Sequence, residues 1–236
     1  MSAQFVGVGV GPGDPELLTL KAMRIIQQSD VVAYLCNHDG ESQALEIAQL
    51  ALADSDAVHF PVTMPMKNDR TEANAVYDNA AQCIREFIHR GKSVTFLCEG
   101  DPLFYGSFSY LLERLSDEDI STQVIPGITS FTAASAELQM PLSMLTESVA
   151  ILNGRHTQAQ LIQALEQHHS LVIMKAGPYR AKIIQALRQS NRMRDARYLE
   201  YVGREQQNIV YDVAELPESK GPYFSLFIVT ANQRPD

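Results

Sequence analysis

The chain has 236 residues, of which 45% are hydrophobic and 20% charged, a balance typical of a globular protein with one large domain or two small ones. Its formal net charge of −9 argues against a general nucleic-acid binder. The apolar runs are far shorter than the roughly 18 residues of a membrane span, and the first residues do not resemble a signal peptide. We therefore expect a cytoplasmic protein that binds neither nucleic acid nor membranes.

The three cysteines, Cys36, Cys83 and Cys98, are scattered along the chain. They form no CxxC pair and no zinc-type spacing, which favours a reducing compartment and predicts no bound metal. Cys98 ends a predicted strand and is a conceivable nucleophile. However, no base accompanies it, and buried packing is the commoner role of such a cysteine.

Strand-like and helix-like segments alternate through the first 140 residues. The alternation predicts an α/β fold with much parallel pairing. The expected strands are 5–10, 31–35, 58–62, 93–98 and 122–125, and the expected helices are 15–28, 42–52, 71–89, 104–115 and 129–139.

A connector at 141–146 separates this region from a second α/β pattern, so we expect domains at 1–141 and 147–236. The last three strand-like runs have no helix of normal length between them, which predicts an antiparallel edge. The expected strands are 148–152, 171–175, 197–202, 208–213 and 223–230, and the expected helices are 157–167 and 179–189.

A glycine-rich segment, GVGVGPGDP, follows the first strand at 7–15, where glycines let the backbone approach a ligand closely. The dinucleotide fingerprint G-x-G-x-x-G fails, because Pro12 or Asp14 stands where the third glycine is needed, and no Gly-Lys-Ser/Thr closes the loop. Asp14 can cap the next helix, with Pro15 at its first position. The pattern leaves open a ligand loop or a tight strand-to-helix turn.

A second loop follows the strand at 93–98 and contains Gly100, Asp101 and Pro102. Ligands of open α/β sheets bind at the carboxyl ends of strands. Gly100 permits close approach there, and Asp101 presents a carboxylate suited to a ribose hydroxyl or a cationic ligand. The alternative is a capped turn, with Asp101 as the cap and Pro102 at the first helical position.

A third loop, PGITS at 126–130, again joins a strand to a helix. Thr129 and Ser130 stand at the helix N-terminus, where hydroxyls and free N–H groups bind a ligand carboxylate. Simple helix capping is the alternative role of both residues.

Together the three loops, GxGxGD at 9–14, GDPxxYGS at 100–107 and PGITS at 126–130, resemble the tetrapyrrole methylase family, and the resemblance covers nearly the whole chain. It implies two α/β domains with a cleft that holds S-adenosylmethionine, usually in a homodimer. The segments 98–108 and 60–66 are most similar to the branch that methylates the C20 meso carbon of precorrin-2, with or without cobalt.

The resemblance also implies roles for individual residues. Asp14 is the candidate catalytic residue in a loop that faces the tetrapyrrole. The implied substrate contacts are Gly9, Gly11, Gly13 and Lys175, with Arg155, His156 and Arg204 as further candidates for the substrate carboxylates. The implied cofactor contacts are Gly100, Asp101, Phe104, Thr129, Ser130, Met174, Tyr201 with its neighbour Val202, and Thr230.

The implied reaction transfers a methyl group from a sulfonium to an electron-rich carbon. Because the leaving group is good, the enzyme's main task is to align carbon, methyl and sulfur, and no metal is required. Three alternatives remain: methylation of another ring carbon, a nucleotide-cofactor oxidoreductase, and a tetrapyrrole-binding module without catalysis. The broken dinucleotide fingerprint disfavours the second.

Overall fold

The computed structural model describes residues 3–53, 55–65, 70–116 and 120–230. The chain divides into two compact units, Met1–Thr129 and Ser130–Asp236. Met66, at the end of the segment 60–66, lies outside the described residues, as does the end of the expected second domain at 231–236. None of the helices in the described ranges is long and apolar enough to cross a membrane.

The first unit alternates strands and helices, as the sequence predicts. Its strands are β1 (Phe5–Gly9), β2 (Val31–Cys36), β3 (Val58–Thr63), β4 (Val94–Cys98) and β5 (Thr122–Ile125). Its helices are α1 (Leu20–Gln27), α2 (Gln43–Ile47), α3 (Gln49–Leu52), α4 (Arg70–His89) and α5 (Phe108–Leu115).

The five strands form one parallel sheet in the order β3-β2-β4-β1-β5. Parallel strands are covered on both faces and read as continuous apolar runs, and every residue of β1 and β4 is buried. One face packs around Phe108 of α5, the other around Ile26 of α1. Since Gly9 pairs with Cys98 and Val8 with Ile125, the loops after β1, β4 and β5 lie together at one sheet edge.

The second unit is built on a mixed sheet in the order β6-β7-β10-β8-β9. β6 and β7 are parallel, whereas β10 runs antiparallel to β7 and β8, and β9 antiparallel to β8. This confirms the predicted antiparallel edge. The elements are α6 (Ser130–Leu138), β6 (Val149–Asn153), α7 (Gln158–Gln167), β7 (Ser170–Met174), α8 (Arg180–Gln189), β8 (Ala196–Glu200), β9 (Asn208–Val210) and β10 (Ser225–Val229).

The division between the units lies at 129/130, whereas the sequence suggests the connector 141–146. The reason is the packing of α6. Its buried residues Ala134 and Leu138 join the cluster of Val172 and Ile228 from the second sheet. This helix therefore belongs to the second unit, although its sequence follows the alternation of the first.

Two helices begin later than the sequence suggests. The expected helix 15–28 is a short 3-10 helix, Pro15–Leu17, followed by α1, whose cap is the Thr19 hydroxyl, accepting from the Ala22 N–H at 3.1 Å. The expected helix 104–115 begins only at Phe108. Tyr105 has a φ of 53°, a left-handed conformation that a continuous helix excludes.

Candidate functional site

The first two glycine loops are hydrogen-bonded to each other at the carboxyl edge of the first sheet. The Gly100 N–H donates to the Gly11 carbonyl at 2.8 Å, and the Gly11 N–H donates to the Gly100 carbonyl at 3.3 Å. Both residues have positive φ, 85° at Gly11 and 65° at Gly100, a conformation that favours glycine. Gly13 lies in the same loop and is half-buried.

The third loop packs against the other two through glycines. A Cβ on Gly9 would lie 2.5 Å from the Gly100 carbonyl oxygen and 2.6 Å from the Gly127 nitrogen, and a Cβ on Gly127 would lie 2.1 Å from that same oxygen. No side chain fits at either position without a backbone shift. These two glycines are therefore needed for packing between the loops, whether or not a ligand also approaches them.

The carboxylate of Asp101 joins the second loop to the third. One oxygen accepts a hydrogen bond from the Leu103 N–H at 2.9 Å and the other from the Gly127 N–H at 3.1 Å. Asp101 thus caps its own turn, as the alternative interpretation of the sequence holds, but the turn is not the start of α5. A carboxylate has further acceptor capacity, so Asp101 can still accept a ligand hydroxyl.

Asp14 caps the short 3-10 helix, which confirms the predicted capping. Its Oδ1 accepts a hydrogen bond from the Glu16 N–H at 2.8 Å. The second oxygen of this half-buried carboxylate is left for another donor. The capping fixes the position of the Asp14 side chain at the end of the first loop.

Large apolar side chains are exposed beside the second and third loops. Leu103 is 56% exposed, Tyr105 42% and Ile128 36%, and the Phe104 ring makes an edge contact with Tyr105 at a centroid distance of 5.1 Å. A ligand with an apolar body and a few hydroxyls would cover these side chains and meet the backbone of the loops. S-adenosylmethionine, which the resemblance implies, has ribose hydroxyls that suit the backbone of the loops and a flat adenine face that suits the apolar side chains.

Cys98 is unsuited to nucleophilic catalysis. It is buried at the end of β4, and burial, followed by the nearby charges of Glu99 and Asp101, raises the pKa of its thiol well above the ordinary value. The thiolate is the reactive form, so packing is its role. In the described part of the chain, no group of three His, Cys, Asp or Glu side chains is placed to hold a metal ion.

Met174 and Tyr201 lie at one edge of the second sheet. Met174 ends β7 and pairs with Leu226 near the start of β10. Tyr201 follows β8, and its N–H donates to the Phe224 carbonyl, just before β10, at 2.9 Å. Lys175 follows Met174 at the same edge.

Thr230 does not lie with them. Because β10 is antiparallel to β7, Val229 pairs with Leu171, and Thr230 follows at the opposite end of the sheet from Met174. Its hydroxyl is buried and has no hydrogen-bond partner among the described residues. The structure therefore does not bring Thr230 together with Met174.

Phe224 and Ser225, which no sequence motif singles out, occupy the edge where Thr230 was expected. Ser225 is buried, and its carbonyl and hydroxyl accept hydrogen bonds from the N–H groups of Ala176 at 3.1 Å and Gly177 at 2.8 Å. The predicted antiparallel edge covered only the last three strand-like runs and left the direction of β10 relative to β7 open, so no local signal placed these residues beside Met174.

Thr129 and Ser130 are both half-buried, and the division between the units falls between them. Ser130 begins α6, as predicted within one residue. Phe104 lies in the turn between Asp101 and α5, where its N–H donates to the Asp101 carbonyl at 3.3 Å.

Comparison with known proteins shows relatives over nearly the full length. The chain is 34% identical to the precorrin-2 C(20)-methyltransferase of Sinorhizobium sp, covering 96% of this chain and 94% of the relative. It is 30% identical to the cobalt-precorrin-2 C(20)-methyltransferase of Salmonella typhimurium strain LT2, covering 97% of both.

Solved structures share the fold. A cobalt precorrin-4 methyltransferase matches with a TM-score of 0.73 at 20% identity, covering 97% of this chain and 95% of the other. A uroporphyrin-III C-methyltransferase from Thermus thermophilus, in complex with S-adenosylhomocysteine, matches with a TM-score of 0.66 at 22% identity, covering 96% and 97%. Residues 4–217 match the model of the Tetrapyrrole (Corrin/Porphyrin) Methylases, and the chain is a member of that family.

Proposed function

We propose that this protein transfers a methyl group from S-adenosylmethionine to the C20 meso carbon of precorrin-2, or of its cobalt form, in cobalamin biosynthesis. The observation that carries the proposal is the likeness, over nearly the full length of both chains, to two enzymes named for that reaction. The hydrogen-bonded glycine loops support the proposal, because they bring backbone groups together at one edge of the first sheet, where a ligand can approach closely.

When bound, S-adenosylmethionine supplies an activated methyl group on a sulfonium. The chain's own residues would hold it through the backbone at Gly100 and Asp101, the Phe104 side chain and the hydroxyls of Thr129 and Ser130. The family resemblance adds Met174 and Tyr201 to the proposed cofactor contacts. Thr230 has the least support among the expected cofactor contacts, because the strand register separates it from Met174.

The main task of the protein groups is alignment, since a good leaving group needs no metal to activate it. Exclusion of water assists the reaction, because charge disappears as the sulfonium becomes a thioether. Asp14 has one oxygen held by the Glu16 N–H. In this proposal its carboxylate serves the tetrapyrrole, together with the loop of Gly9, Gly11 and Gly13. The protein would act in the cytoplasm as a homodimer, without nucleic acid or membrane.

The decisive experiment is mass spectrometry of the product. Precorrin-2, with and without inserted cobalt, is incubated with the protein and methyl-labelled S-adenosylmethionine, and the labelled carbon is located. One label at C20 supports the proposal, and the faster of the two substrates identifies the natural one. A label at another ring carbon would be consistent with a methylase of this family but would refute C20 as the methylated position. No transfer to either substrate would refute the proposed methyltransferase activity.

A further inference from the structure

Two buried hydroxyls lie on neighbouring strands at the end of the second sheet that is remote from Met174. Ser170 begins β7 and Thr230 follows β10, and each residue is only 1% exposed. β10 runs antiparallel to β7, with Val229 opposite Leu171. The same register, continued by one residue, puts Thr230 opposite Ser170.

The main-chain groups of these two residues point away from each other's strand. The Ser170 N–H donates to the Ser148 carbonyl, on the side of β6, at 3.1 Å. The Thr230 N–H donates to the Asp195 carbonyl, on the side of β8, at 3.2 Å. This is the arrangement of a non-hydrogen-bonded antiparallel pair, in which the Cα atoms are about 4.5 Å apart and the side chains approach each other most closely. The two hydroxyls therefore belong to side chains on one face of the sheet.

Neither hydroxyl has a hydrogen-bond partner among the residues that the structure describes, so the two do not bond to each other. A third buried atom in the same condition is the Nδ1 of His168, two residues before Ser170. Buried polar groups are nearly always hydrogen-bonded, because an unpaired one costs free energy. Since all three atoms come from one end of one sheet, a shared partner explains them better than three separate defects.

The first unit contains a matched pair of hydroxyls that bond directly. Ser29 is 6% exposed and Thr95 0%, and their hydroxyls form a hydrogen bond with each other. The Ser29 hydroxyl also donates to the Ile25 carbonyl at 2.7 Å. The same two residue types, equally buried, thus find protein partners in one unit and not in the other.

The charged groups beside the second pair are already matched. Asp195, whose carbonyl accepts from Thr230, has its carboxylate paired with the guanidinium of Arg192. Arg192 also donates to the carbonyls of Leu165 at 2.8 Å and His169 at 2.9 Å. An ionic ligand would add an uncompensated charge to a buried site. A hydroxyl both donates and accepts, so it suits a small neutral ligand with the same two capacities.

We propose that Ser170 and Thr230 form a binding site for an internal water molecule, which bridges β7 to β10 through the two hydroxyls. Buried waters make about three hydrogen bonds, and the His168 Nδ1 is the third group at this end of the sheet that lacks one. The assignment is independent of the proposed function. It gives Thr230 a role within the second unit, at the end of the sheet opposite Met174.

The test combines a high-resolution crystal structure of the whole protein with thermal denaturation of Ser170→Ala, Thr230→Val and the double variant. The wild-type map should show a water at about 2.7–3.2 Å from both hydroxyl oxygens. Each single variant should lower the thermal midpoint by about 2–4 °C, because it breaks one hydrogen bond of the water. The double variant should lose less than the sum, since one water serves both hydroxyls.

Thr95→Val is the matched control, because it also replaces a buried threonine by a residue of the same shape, but removes a hydroxyl that is bonded to protein. It should lower the midpoint, with no water between Ser29 and Thr95 in the wild-type map. If Thr95→Val lowers the midpoint and Thr230→Val raises it, the Thr230 hydroxyl has no partner and the assignment is overturned. A map that shows no water at Ser170 and Thr230, or a direct bond between their hydroxyls, would overturn it as well.

Discussion

The Oδ2 of Asp101 accepts a hydrogen bond from the backbone N–H of Gly127 at 3.1 Å, a contact between loops that lie 26 residues apart in the chain. Together with the Gly11–Gly100 backbone bridge, it makes the three glycine loops one connected structure. A change in any of the loops is therefore expected to alter the others.

Replacing Asp101 with alanine should weaken both the fold of the first unit and cofactor binding. The variant leaves the N–H groups of Leu103 and Gly127 without their acceptors, a loss of about 1–3 kcal/mol if both remain unpaired. Urea denaturation measures the stability, and calorimetry the dissociation constant of S-adenosylhomocysteine. A variant with wild-type values of both would show that the carboxylate is dispensable.

Replacing Gly9 with alanine should be much more damaging than an ordinary glycine substitution. Its Cβ would lie 2.5 Å from the Gly100 carbonyl and 2.6 Å from the Gly127 nitrogen. Since both are backbone atoms, the loops must move, and we expect about 3 kcal/mol or more of destabilisation. The thermal midpoint measures it.

Gly40→Ala is the control for Gly9→Ala. Gly40 has a φ of 83° and no atom within 4 Å of the added Cβ, so only the backbone conformation is penalised, by about 1–2 kcal/mol. Equal losses of stability in the two variants would mean that the loops around Gly9 can shift to accommodate the Cβ at little cost in free energy.

Asp30 should make stability depend on pH in the acid range. Hydrogen bonds from the N–H and hydroxyl of Ser93, at 2.9 and 2.8 Å, lower its pKa from 3.8 to about 2. A lowered pKa stabilises the fold above the unfolded value, and that contribution is lost as the pH falls toward 2. Asp30→Asn should therefore destabilise the protein at pH 7. The difference in the free energy of unfolding between the wild type and this variant should narrow between about pH 4 and pH 2.

Urea denaturation across that pH range checks the effect of Asp30. The control is Ser93→Ala, which removes the hydroxyl donor and should bring the pKa of Asp30 closer to its ordinary value. It should therefore weaken the pH dependence without abolishing it, because the Ser93 N–H remains. If the free energies of unfolding of the wild type and Asp30→Asn differ by a constant amount from pH 7 to pH 2, this account is contradicted.

Methyl transfer should survive chelation of free metal ions. The proposed reaction has no electrophile that a metal must activate, and the described residues include no cluster suited to a metal. Activity is assayed in EDTA with metal-free substrate, so that cobalt in the tetrapyrrole does not confuse the result. Inactivation that a divalent ion reverses would show that the protein needs a metal.

The sequence predicts the first sheet well, because β1, β2 and β4 are largely apolar and buried and the strands are separated by recognisable helices. It also predicts the capping by Asp14, which depends on three consecutive residues. It does not predict the bond between Asp101 and Gly127 or the close contact of Gly9 with Gly100, since these join loops whose proximity only the folded sheet establishes. Local patterns carry no information on such contacts.

The limits of local patterns are clearest at α6 and Thr230. The segment 130–138 has the helical pattern of the first unit, but its partners Val172 and Ile228 come from strands far along the chain. The family resemblance implied that Thr230 lies near Met174, whereas the antiparallel register places it at the other end of β7. In both cases tertiary pairing, and not local composition, decides which residues are neighbours.

Asp14 and Asp101 should separate substrate chemistry from cofactor binding. Asp14→Asn keeps an oxygen that can accept from the Glu16 N–H, and asparagine is as good a cap as aspartate. The variant therefore keeps the cap and loses the charge and the second acceptor oxygen. We expect it to stay folded, to bind S-adenosylhomocysteine nearly normally and to lose most methyl transfer. Calorimetry and single-turnover transfer are measured on this variant and on Asp101→Ala.

Asp14→Ala is the control that removes the cap as well as the charge, at a cost of about 1 kcal/mol. That loss is tolerable for a domain with roughly 5–15 kcal/mol of stability, so both Asp14 variants remain measurable. If Asp14→Asn transfers methyl groups normally and only Asp14→Ala is impaired, the residue serves the geometry of its loop alone. If Asp14→Asn abolishes S-adenosylhomocysteine binding while Asp101→Ala leaves it intact, the roles of the two loops are the reverse of those proposed.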